Sequence, residues 1–241
     1  MNPYLLIILL VAVGFGSAFI QRVSGFGLGI FAMLFLPYLM PSVAAAATVS
    51  CLFSTGTSTY NVVKYRKSIS LGAALPMLVT ALIAIPVAVY FASDIPERIF
   101  RFLLGIILIL LSLLFLFFPS LKIRSDIKNG AVAGLLSGTL GGLFSTSGPP
   151  AVIYLSSAIQ DKLIYFATIQ FYFSVTNIYA TATRAVNGLL TPAILGYSAI
   201  GFLGCILGDL VGRAVFNKLD GDKLKKIIYV GMILSGILML I

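Results

Sequence analysis

A chain of 241 residues with 16 Lys+Arg, 7 Asp+Glu and no His or Trp is 60% hydrophobic and 10% charged, far below the roughly 25% charge of soluble domains. A soluble globule is excluded, and the uncharged stretches 2–21, 23–63, 68–93 and 102–121 each suit the ~20 residues that cross a bilayer core, so the expected fold is an all-α, polytopic membrane protein rather than a barrel of alternating segments. The missing His removes a Ser-His-Asp triad, a His-bearing zinc site and a His proton switch, while the net charge of +9 falls in short clusters that orient membrane helices instead of binding nucleic acid.

The chain opens with MNPYLLIILLVAVGFGSAFI, which has a signal peptide's apolar length but no Lys or Arg ahead of it, and it reads as a retained first membrane segment. It enters a hairpin over 3–38 that the QRVSGFGLG run interrupts, with arms long enough that two full spans are the alternative. Ser24, Gly25 and Gly27 form a knot there that starts the second arm, with Gly allowing a tight backbone and the close approach of a ligand. Arg22 adds a full positive charge beside it. A helix over 43–65 follows, carrying Ser50, Ser54, Thr57, Asn61 and Lys64 on one face at spacings of four, three, four and three. Apolar helices over 70–92 and 98–118 complete the first half. Cys51 and Cys205 both lie in apolar runs, where packing is expected and a disulfide is not.

A second hairpin is predicted over 130–158. Its arms of about 14 residues, roughly 21 Å of helix, are too short for a ~30 Å core, so its tip should stop inside the membrane. In the tip run FSTSGPPAV, Ser145, Thr146, Ser147 and Gly148 precede Pro149, a residue suited to a helix's first turn. The helix over 163–184 carries Gln170, Ser174, Asn177, Thr181 and Arg184, and helices over 191–214 and 224–241 follow. Gly134, Gly138 and Gly142, like Gly204, Gly208 and Gly212, recur every four residues and suit close helix packing. Asp209 has two readings: a coupling carboxylate, or an ion pair with Arg213 one turn on, which is preferred. The GFGLG run lacks the strand–turn–helix setting of a nucleotide-binding loop, and neither cofactor nor metal is expected.

The halves echo each other. Ser24 and Gly27 meet Ser145 and Gly148 at an offset of 121, and the stripe from Ser50 to Lys64 meets the stripe from Gln170 to Arg184 at a constant offset of 120. This implies duplication, 1–120 and 121–241, within one membrane domain. Basic residues cluster in 64–67, 119–128 and 213–226, which the positive-inside rule places in the cytoplasm. All three can lie there only if 130–158 makes an even number of crossings. Two inverted-topology repeats follow, each a broken-helix hairpin plus three transmembrane helices, in a cytoplasmic (inner) membrane with both termini outside.

Inversion brings the two knots together near the midplane, where free backbone N–H groups, hydroxyls and positive helix ends favour an anion. The expected substrate-binding set is Arg22, Ser24, Gly25, Gly27, Ser145, Thr146, Ser147 and Gly148, with Ser54, Asn61, Gln170, Ser174 and Asn177 of the polar stripes read as pore lining in preference to interhelical glue. Few membrane carboxylates argue against a cation. The duplicated Gly/Ser-broken hairpins, the NVVKYRKSIS stretch after the second helix and the total length resemble the TauE/SafE sulfite exporter family over essentially the whole chain, although this chain has STSGPP where many members carry a Gly-rich tip. That resemblance implies transport of sulfite or organosulfonates. The expectation is a secondary transporter, not an enzyme, whose partners are a small anion and the lipid bilayer, with a homodimer left open. An anion channel of the same architecture is the alternative, and an intramembrane enzyme lacks a plausible acid–base pair.

Overall fold

The computed structural model describes residues 2–118, 121–215 and 221–240, and every described element is helical. The helices are α1 (Pro3–Ser24), α2 (Leu28–Leu39), α3 (Val43–Tyr65), α4 (Leu71–Asp94), α5 (Glu97–Phe117), α6 (Ile127–Phe144), α7 (Gly148–Ala158), α8 (Lys162–Val186), α9 (Pro192–Val215) and α10 (Gly221–Leu240), with one 3₁₀ turn over Arg66–Ser68. Of the basic region predicted over 213–226, the side chains of Lys218, Asp220, Asp222, Lys223, Lys225 and Lys226 lie outside those described.

Helix starts follow local chemistry. Ser42 accepts the Ala45 N–H at 3.1 Å, Asp126 accepts that of Asn129 at 2.8 Å, and Asp161 accepts those of Leu163 and Ile164 at 2.9 Å, each satisfying orphan donors of a first turn. Four helices, within Pro3–Ser24, Leu71–Ala92, Glu97–Phe117 and Pro192–Ala214, are long and apolar enough to cross a bilayer. Their outward faces are greasy: Leu71, Leu75, Val79, Ile83 and Val87 form an exposed ridge along α4. Such a ridge is stable against lipid and not against water.

Small residues decide how the helices pair. A Cβ on Gly204 would lie 2.0 Å from the Val11 carbonyl oxygen, and one on Gly208 2.1 Å from that of Phe15, so α9 rests directly on the backbone of α1. Gly134 sits 2.0 Å from the Met77 oxygen by the same measure, and Gly138 and Gly142 abut Ala81 and Ala88, joining α6 to α4. Both pairs run parallel, because the contacts climb both helices together. Between them, α3 and α8 cross antiparallel, since Cys51 meets Asn177 while Asn61 meets Gln170. The Gly-lined faces therefore pack as their spacing predicts.

Exchanging α1–α5 with α6–α10 leaves the main pairings unchanged: α1 on α9 becomes α6 on α4, α3 on α9 becomes α8 on α4, and α3 on α8 and α5 on α10 map onto themselves. The return arms α2 and α7 have only 12 and 11 residues, about 18 and 17 Å, which is short of a hydrocarbon core.

Candidate functional site

The SGFG and STSG runs are where α1 gives way to α2 and α6 to α7. α1 ends at Gly25, whose φ of 82° lets its N–H reach back 2.8 Å to the Gln21 oxygen, and α2 begins after Gly27 at φ 93°. Both angles suit glycine. The second break turns on Ser145, the one described non-Gly residue with positive φ, at 57°. It is held in place by Ser137, which donates to the Ser147 oxygen at 2.6 Å and accepts from the Tyr172 hydroxyl at 2.8 Å.

The two breaks touch. A Cβ on Gly29 would sit 1.9 Å from the Ser145 carbonyl oxygen, so only glycine permits the approach. Between them lies a cavity of about 20 Å³, lined by Gln21, Gly27 and Gly29 on one side, Ser145 to Gly148 on the other, and Ser54 and Phe173 from α3 and α8. Helix starts leave N–H groups without intrahelical partners: those of Leu28, Gly29 and Ile30 at α2, and of Ser147 and Gly148 at α7, where Pro149 and Pro150 have none to offer. The Ser145 hydroxyl is buried and unpartnered, as is that of Ser50 on α3.

Not every expected residue faces this cavity. Ser24 turns its hydroxyl onto its own loop, 2.7 Å from the Ile20 oxygen and 2.6 Å from the Phe26 oxygen. Gly25 contributes its carbonyl to Gln170 at 3.0 Å. The Gln170 oxygen in turn lies within reach of Gln21 and Asn61, at 3.3 and 3.4 Å. Asn177 donates to Ser54 at 3.0 Å and Ser174 bonds Thr59 at 2.9 Å. Ser54 with Asn177 and Asn61 with Gln170 thus pair the stripes across the α3–α8 seam, and Ser54 alone among those five expected residues lines the cavity.

Arg22 is also committed elsewhere. Its guanidinium meets Asp209 of α9 at 2.5 Å and donates to the Asn61 amide oxygen, also at 2.5 Å. Asp209 pairs with Arg213 as well, and Arg213 reaches the Tyr60 hydroxyl at 3.0 Å. The i, i+4 pair expected for Asp209 is present, joined by an inter-helix partner that sequence spacing did not disclose. Arg184 is the cation left over. It is fully buried, donates to the Gly142 oxygen at 2.6 Å and to Thr48 at 3.3 Å, and leaves its Nε unpartnered. Among the described residues no carboxylate lies within ion-pair distance of it. Its place behind the last turn of α6, just before Ser145, puts positive charge at the negative end of that helix.

The family described as sulfite exporter TauE/SafE matches residues 10–239. The chain belongs to that family. A TauE/SafE relative from Cupriavidus necator, named as a probable sulfite/organosulfonate exporter TauE, is 27% identical over 206 residues, covering 83% of this chain and 80% of that protein. No solved structure matches. Membership in a TauE/SafE exporter family, with four helices fit to span a bilayer, makes the chain a multi-pass membrane transporter and not an enzyme.

Proposed function

We propose that this TauE/SafE chain is a secondary carrier of a small sulfur oxyanion, sulfite or an organosulfonate, that binds where the two helix breaks meet near the bilayer midplane. The observation that carries this reading is the contact of two helix N-termini around one cavity, with the helix-start N–H groups of Leu28, Gly29, Ile30, Ser147 and Gly148 and the buried Ser145 hydroxyl at hand. Such termini stabilise anions through aligned dipoles and directed donors. Arg184 supplies the positive background, since Arg22 is already answered by Asp209. Asp209 is read as the anchor between α1 and α9, with coupling as the outcome its variants would have to reveal.

The architecture is read as two inverted repeats, with both termini outside a cytoplasmic membrane. Support comes from the self-mapping helix pairs and from helix sense: α1 runs with α9, α6 runs with α4, and α3 runs against α8, so α1 and α6 point opposite ways. A cavity of about 20 Å³ holds about one water, which describes a closed state whose breaks must part to admit an anion. Alternating access follows from rocking one hairpin against the other.

Flux in proteoliposomes over sulfite, sulfate, sulfoacetate, taurine and thiosulfate tests the reading. Counterflow with sulfite or a sulfonate preferred is expected; single-channel currents would instead establish a pore, and indifference to all five would remove the substrate assignment.

A further inference from the structure

A second, larger cavity of about 760 Å³ lies far from the breaks, where the first turns of α4 and α6 meet the end of α7. It is a broad groove open to the surface. Arg124 and Lys128 stand at its mouth, and Gly72, Ala73 and Pro76 form an apolar wall. Asp126 is present too, but one of its oxygens caps Asn129 at 2.8 Å and the other faces Arg124 at 3.5 Å. The rim is therefore net positive.

At the floor is Tyr154, 3% exposed, whose hydroxyl has no hydrogen-bond partner among the described residues. That oxygen is the part of the side chain that opens on the groove, and the sequence keeps room for it: a Cβ on Gly130 would lie 2.7 Å from it and 2.9 Å from Pro76. An apolar surface continues beside the groove. Leu75 and Val79 of α4 and Val132 and Leu135 of α6 are exposed along the two helices that frame it.

We propose that this cavity binds the phosphate headgroup of an anionic phospholipid, whose acyl chains lie along the exposed α4–α6 ridge. Arg124 and Lys128 attract the phosphate and the Tyr154 hydroxyl donates to it. The apolar ridge continuing from a cationic mouth distinguishes a lipid from a free soluble anion, which would use the cavity and ignore the ridge. The site is independent of the helix breaks.

The full chain, purified in detergent, is titrated with dioleoyl phosphatidylglycerol, dioleoyl phosphatidylcholine, glycerol 3-phosphate and inorganic phosphate while thermal unfolding is followed. Phosphatidylglycerol alone should raise the melting temperature. Replacing both exposed cations, Arg124→Gln with Lys128→Gln, should weaken that response about tenfold or more, and Tyr154→Phe should weaken it with the fold intact. Native mass spectrometry of co-purified phosphatidylglycerol gives a second readout that does not depend on unfolding. Sulfite binding should be the same in all of these variants, so failure here and failure at the breaks are separable. Equal stabilisation by phosphatidylcholine, an undiminished response in the double variant, or an equal response to inorganic phosphate would each overturn the lipid assignment.

Discussion

A guanidinium buried without a carboxylate is destabilising unless other groups answer its charge, and at Arg184 the α6 carbonyls do so only in part. An anion at the neighbouring break would complete the compensation. Arg184→Gln should therefore lower sulfite affinity in fluorescence binding more than Arg184→Lys, which keeps the charge; equal affinity in Gln, Lys and unaltered protein would remove Arg184 from the site. Ser145 offers a sharper test, because its φ of 57° is one that glycine adopts freely. Ser145→Gly should keep or raise thermal stability while weakening binding by about 0.5–1.5 kcal/mol, or up to about 3 if the hydroxyl meets the charge directly. Gly27→Val cannot serve this purpose, since φ 93° and a Cβ position 3.2 Å from Ile20 would deform the break itself. At this scale the Ser/Gly knots were legible, because turn residues declare themselves locally. The partner of Arg22 was not: Asp209 is 187 positions away, and no periodicity links them.

Helix pairs were legible wherever small residues recur every four positions, and the structure places those glycines against facing backbone on α1 and α4. Gly208→Ala must push α9 off the Phe15 carbonyl, and overpacking of this kind costs about 1–3 kcal/mol; the variant should unfold earlier yet bind sulfite normally while folded. What the stripes do was less legible, because an alternation of polar residues looks the same whether it lines a path or meets a second stripe. Only the crossing of α3 and α8 shows that they pair. Asp209 joins two other elements, and Asp209→Asn leaves Arg22 buried without its counter-ion, so a loss of about 3–5 kcal/mol is expected. The apolar double variant Arg22→Met with Asp209→Leu should recover much of it. Recovery of stability with transport intact would establish an anchor; stable protein with no transport would return Asp209 to coupling.

For the whole molecule, membrane class and all-helical content followed from composition, and family from the order and duplication of weak motifs that no single segment would have identified. Topology is testable directly. In a background lacking Cys51 and Cys205, a cysteine replacing Lys67 should resist an impermeant thiol reagent in whole cells and one replacing Asn187 should react; the reverse pattern would invert the orientation, and reaction at both would break the helix count between them. The narrowness of the contact between Gly29 and Ser145 has a consequence for the cell as well as for the substrate. Protons hop along files of water, and a space of about 20 Å³ holds about one molecule, too few for a file. On the proposed carrier reading, the closed state should therefore block proton leak and leave the membrane potential intact, and proton flux into liposomes holding the idle protein should match that of empty liposomes.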